Sequence, residues 1–176
     1  HHTAVNRTCL IFLASLLGWV FCDFIAWMPT PPSSKVPIFK IACIFWVPSG
    51  FLFLNFTYAF LEKQKDLFYK IMLSASIITI LVSLLTDLTI KGHERTYWGE
   101  MVVPGILFVP IILVLITPST LYAYYLTFRK VLETTDKNQK KQLMLLLLGV
   151  TISLSIGLIC DVVFPNVLKV HDFIRM

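Results

Sequence analysis

The chain is 176 residues long, 57% hydrophobic and 14% charged, with a mean hydropathy of +0.79. Soluble domains carry about 25% charged residues, so this composition excludes a soluble globular domain and points to helices packed together in lipid. The net charge of +5 is spread over short loops rather than gathered on a polar face. That excludes a nucleic-acid-binding surface and assigns the basic residues to membrane orientation and anionic lipid.

Five apolar stretches, at about 8–28, 38–61, 67–88, 102–128 and 143–164, can each cross roughly 30 Å of hydrocarbon. The first lacks the small-residue cleavage pattern of a signal peptide. Pro29, Pro31 and Pro32 predict a stiff loop after it, and Pro48-Ser49-Gly50 predicts a kink inside the second stretch. Glu62 to Asp66 reads as a short charged turn. After the third stretch, Gly92-His93-Glu94 between Leu88–Lys91 and Arg95–Trp98 reads as a short β-hairpin or an irregular loop. The fourth stretch contains Pro110 and Pro118. Thr117-Pro118-Ser119-Thr120 reads as a kink whose hydroxyls re-satisfy backbone carbonyls, or as a hinge. A charged loop from Arg129 to Gln142 precedes the fifth stretch, which Pro165 ends. The fold class is therefore all-α, a single polytopic transmembrane domain over 1–176. Starting at His1 and stopping soon after an apolar segment, the chain reads as a piece of a longer protein.

Counting basic residues by side sets the orientation. Arg7, Lys63, Lys65, Lys70, Arg129, Lys130, Lys137, Lys140 and Lys141 fall on one side. Lys35, Lys40, Lys91, Arg95, Lys169 and Arg175 fall on the other. The richer side is expected to be cytoplasmic, which places the N-terminal end inside and the C-terminal end outside.

Three aspartates then lie at the outer ends of outward-running stretches. Asp23, Asp87 and Asp161 each close a stripe spaced by four: Ser15-Trp19-Asp23, Thr79-Ser83-Asp87 and Gly149-Ser153-Gly157-Asp161. A carboxylate is costly near lipid, and the helix dipole disfavours an anion at a C-terminal end. A structural role, solvated or paired with Lys40, Lys91 or Arg95, carries the greater weight. The sharper expectation is a shared outward-facing site that takes a cationic ligand, an ion or protons. Lys40, one turn into the second stretch, snorkels or pairs with an aspartate. His93 and Trp98 in the outer connection complete the candidate ligand-binding set. The stripes through Ala75-Thr79-Ser83 and Gly149-Ser153-Gly157 mark faces for close helix approach. The four cysteines show no metal or redox spacing, and no catalytic motif is present, so neither metal, cofactor nor enzyme activity is expected within this chain.

Arg129-Lys130, the run from Gln142 to Gly149, Gly157, and Asp161 to Pro165 carry a family likeness. Gly92, Trp98-Gly99 and Pro104-Gly105 add to it, with Trp46 and Asn55-Phe56-Thr57 as a looser match. In these residues the chain resembles the N-terminal seven-transmembrane sensory region of membrane-bound histidine kinases, which also precedes diguanylate cyclases. The resemblance implies that the five stretches are the second to sixth helices of such a region. That requires the first to start inside and the last to end outside, as the charge count does. It also implies a signal-input domain, with a homodimer formed through an output domain outside this chain. The partners expected are the bilayer and a small ligand or ion. The alternative expectation is a small transporter or channel component with an acidic outward-facing cation site; a passive anchor is the third.

Overall fold

The computed structural model describes residues 2–28, 31–96 and 99–158. It divides into two compact units, residues 1–123 and 124–176. Four helices among the described residues are long and apolar enough to cross a membrane, and a fifth helix and a small two-stranded sheet accompany them. The chain is a helical membrane bundle with a hairpin between its third and fourth spans.

In the first unit α1 (His2–Trp27) is followed by α2 (Pro32–Trp46) and α3 (Ser49–Phe60). The expected stiff proline loop is shorter than its composition suggests. Pro31 is extended and α2 starts at Pro32, because a proline in the first helical turn has no N–H to waste and a φ already suited to the helix. The expected kink at Pro48 is a two-residue interruption, with Val47 and Pro48 still in the right-handed helical region, between α2 and α3, which together make one span, Ser33–Phe60. A helix ending in lipid leaves carbonyls without backbone partners. Here hydroxyls supply them: Ser15 donates to the Phe45 carbonyl (2.6 Å) and Ser49 to that of Trp46 (2.6 Å).

α3 ends in a tight reversal. Lys63 N–H bonds the Tyr58 carbonyl (2.9 Å), Glu62 N–H that of Ala59 (3.4 Å), and Glu62 has φ +54°. This is the helix-ending pattern in which glycine usually takes the left-handed position. α4 (Leu67–Leu85) follows at once, its first turn capped by the Asp66 carboxylate accepting from Tyr69 N–H (3.0 Å). The buried face of α4 includes Tyr69, Ser76 and Ser83, seven apart, as a helical face requires.

The connection between α4 and the fourth span is a β-hairpin, with a different register from the one expected. Its strands are β1 (Ile90–Thr96) and β2 (Gly99–Pro104), paired antiparallel with Thr96 opposite Gly99. Gly92-His93-Glu94 therefore lies inside β1, where an irregularity between Ile90 and Gly92 shifts the register. The partner strand Gly99–Pro104 takes in Val102, Val103 and Pro104, which the expected fourth apolar stretch includes. Adjacent valines favour strand, and Pro104 disfavours a helical residue before it. The fourth span accordingly starts later. It contains α5 (Phe108–Ile111), a π-helical segment Ile112–Ile116, and α6 (Thr117–Glu133). The wide turn directly precedes Pro118, which cannot donate to the carbonyl four residues back.

The core of this unit packs Cys22 and Ala26 of α1 against Phe39, Ala42, Cys43 and Trp46 of α2, with Ile90, Ile111 and Leu115. Trp46 meets Phe108 with ring centroids 5.4 Å apart. Large side chains such as Leu17, Phe21, Ile78, Leu85 and Val114 are exposed, as lipid-facing positions are. In the second unit Asp136 accepts from Asn138 and Gln139 N–H groups (3.0 and 3.4 Å) and opens α7 (Lys137–Leu158).

Candidate functional site

At the end of α4 that meets the hairpin, Asp87 and Lys40 form an ion pair, with Nζ 2.7 Å from Oδ1. The two residues are 47 apart in sequence, and the pair ties α2 to the corner between α4 and β1. The lysine is mostly covered, while the carboxylate is 72% exposed. The corner is fixed from beneath by a buried pair of hydroxyls, Ser83 and Thr89 (2.8 Å). It is also fixed by Gly105 N–H on the Thr89 carbonyl (2.9 Å) and Leu107 N–H on that of Leu88 (2.8 Å). A Cβ at position 105 would lie 2.2 Å from the Leu88 oxygen, so only glycine allows the chain after β2 to pass this close. The corner borders a wide, open cleft of about 690 Å³ lined by Thr86, Asp87, Leu88, Lys91, Pro104, Gly105 and Ile106.

Of the six residues anticipated as a site, Lys40 and Asp87 are brought together. Asp23 is half-buried one turn before the end of α1, and His93 is half-buried in β1 opposite Val102; neither lines the cleft. Asp161 and Trp98 lie outside the described residues.

Two lysines outside that set are more deeply engaged. Lys35 is buried and donates to the Ala26 and Met28 carbonyls (2.7 Å for the latter), closing the C-terminal end of α1. Lys63, at the opposite end of the span from Lys40, donates to Asp66 Oδ2 (2.9 Å), the Tyr122 hydroxyl (2.9 Å) and the Tyr58 hydroxyl (3.3 Å). Its ammonium stands 4.8 and 4.9 Å from the Tyr58 and Tyr122 ring centroids. Partial burial pulls the Asp66 carboxyl upward. The hydrogen bonds from Lys63, Tyr58 and Tyr69 N–H outweigh it and hold the pKa at about 2. Burial likewise works against the Lys63 ammonium, yet its bonds to Tyr122, Asp66 and Tyr58 raise its pKa above the ordinary lysine value. Tyr69 continues the network through its hydroxyl to Asn55 Oδ1 (2.7 Å). The sequence held only an indirect signal for this cluster: a charged turn flanked by tyrosines, which reads equally well as a membrane-interface belt.

Between the two ends the broken helices touch at their breaks. A Cβ at Gly50 would fall 2.7 Å from the Ile116 oxygen and 2.9 Å from its Cα. The start of α3 thus rests directly on the backbone of the π-helical segment.

A family model, the N-terminal 7TM region of histidine kinase, matches residues 1–174. The chain belongs to this histidine kinase 7TM family. Its spanning helices are thus those of a membrane sensory input region of a histidine kinase. No curated protein and no solved structure matches this 7TM region significantly.

Proposed function

We propose that this 7TM region receives its stimulus at the cleft beside the hairpin, on the outer face of the membrane, and passes it inward through the α2–α3 span. The observation that carries the reading is the Lys40–Asp87 ion pair at the cleft. It joins the cleft to a span whose middle rests on the π segment at Ile116 and whose far end is latched to Tyr122 of α6. Charge distribution supports the orientation, since Lys63, Lys65 and Lys70 cluster at the far end. A ligand changes the output only by binding one arrangement of these contacts better than another. Loosening the ion pair frees α2 from the hairpin corner, and movement of α3 is then felt by the π segment and α6. A π segment next to a proline is a place where a helix changes its winding at low cost.

The test is a double-mutant cycle on Lys40→Gln and Asp87→Asn in the full-length kinase, read as autophosphorylation with and without stimulus. An exposed pair contributes about 0.2–1 kcal/mol, so each single change should shift basal output by up to about fivefold, and the double variant should match the singles rather than add to them. Additive effects, or unchanged output from Asp87→Asn, would remove the pair from the input path.

A further inference from the structure

The cleft places an apolar floor beside an unequal set of charges. Leu88 and Ile106 are 44% and 77% exposed and line it together with Pro104. Asp87 and Lys91 are the charged residues of the lining. Asp87 is already matched by Lys40, which reaches it from α2, so the lining acts outwardly with the charge of one lysine. A lipid-facing helix flank would accept hydrocarbon without regard to a head group. This cleft lies instead at the end of a span, where chain and head group can be satisfied together.

We infer that the cleft binds an amphiphile with a single anionic head and a short hydrocarbon body. The head pairs with Lys91 and the chain lies against Leu88, Pro104 and Ile106. The inference rests on the reading of the cleft as the input site and reverses the charge expected of the ligand: three outer aspartates suggested a cation, but the aspartate that reaches the cleft is neutralised by Lys40. The open cleft, of about 690 Å³, has a volume within the range of about 300–1,000 Å³ usual for small-molecule sites. The same chemistry is offered by a free medium-chain carboxylate and by an anionic lipid of the outer leaflet.

Decanoate carrying a terminal diazirine distinguishes these sources. It is added to the full-length protein in phosphatidylcholine nanodiscs, and the crosslinks are mapped by peptide mass spectrometry. Labelling should concentrate on the peptides containing Leu88 and Ile106 and be displaced by decanoate much more than by decyltrimethylammonium. Each further methylene buried should tighten displacement by up to about fourfold. Lys91→Gln should weaken labelling about two- to fivefold, the range of a screened surface pair, and Lys91→Glu should turn the preference toward the cationic competitor. Lys40→Gln, which leaves Asp87 unmatched, should act in the same direction as Lys91→Glu. Displacement by added phosphatidylglycerol would assign the natural ligand to the lipid; displacement by decanoate alone would assign it to a free amphiphile. Labelling spread evenly over the exposed flanks of α1 and α4, equal displacement by the two head groups, or indifference to Lys91→Glu would overturn the inference. If any of these is found while Asp87→Asn still alters kinase output, the ligand class fails and the input reading survives. Unaltered output from Asp87→Asn would remove the input reading on which the inference rests.

Discussion

Replacing Gly50 by alanine is the sharpest test of how the α2–α3 span meets the fourth span. The new Cβ would stand 2.9 Å from the Ile116 Cα and 2.7 Å from its oxygen. Carbon atoms rest in contact at about 3.5–4.0 Å, so the two backbones must separate by roughly 0.6–1.1 Å or the helices must rotate. Both atoms met belong to the backbone, so no side chain can swing aside. Overpacking of this kind costs about 1–3 kcal/mol. Alanine returns about 0.5–1 kcal/mol because glycine loses more chain entropy in a helix. The two ranges leave a net loss of up to about 2.5 kcal/mol in unfolding free energy, about 1 kcal/mol at their centre, measured by far-UV circular dichroism during denaturant titration in mixed micelles. Gly92→Ala is the matched control, since a Cβ there meets nothing closer than Val103 at 3.9 Å. Should Gly50→Ala be as stable as the parent, or gain the alanine increment, the backbone contact between α3 and the π segment is not made. Basal kinase output should also change in Gly50→Ala and not in Gly92→Ala, because the displaced segment leads directly into α6.

Glu62→Gly should raise stability by about 0.5–1 kcal/mol, since Glu62 holds φ +54°, a conformation that costs non-glycine residues about 1–2 kcal/mol; an unchanged melting temperature would contradict this. Lys35→Met removes the ammonium that donates to the Ala26 and Met28 carbonyls and should lose about 1–3 kcal/mol, read as a lower unfolding midpoint. The depressed pKa of Asp66, about 2, fixes the sign of an acid effect. Its contribution is complete above about pH 4, where the unfolded carboxyl is ionised, and is lost as pH falls through 2. With the carboxylate more than a third exposed, this contribution should be no more than about 1 kcal/mol, and Asp66→Asn should flatten the acid limb of the melting curve. Gly105→Ala would bring a Cβ to 2.2 Å from the Leu88 oxygen and should detach the chain after β2 from the cleft, seen as faster amide exchange at Leu107.

The spans were legible because hydropathy is a local property: about twenty apolar residues in a row can do little else in lipid. Breaks within them were legible for a similar reason, since a proline lacks its N–H wherever it stands. Pro48 and Pro118 both mark real irregularities, at the α2–α3 junction and at the π segment. The hairpin was legible as an element and not as a register. Gly92 reads as a turn residue from its neighbours, but its place in β1 depends on pairing with Val103, and nothing near Gly92 in sequence specifies that partner.

The polar contacts divide in the same way. A charge close to the membrane had to find a partner or water, and that much followed from the sequence about Lys40 and Asp87. Which partner each takes depends on helix rotation and on the route of the connections. The Lys40–Asp87 pair spans 47 positions and Lys63–Tyr122 spans 59, and a helix turned by a third of a revolution would separate either. The sequence by itself determined a set of membrane-spanning helices with polar ends, because lipid imposes that on any chain with such apolar runs. The tertiary structure decided that Asp87 is matched by Lys40, that Lys63 latches α3 to α6, and that Gly50 rests on the π segment, because packing alone brings distant faces together.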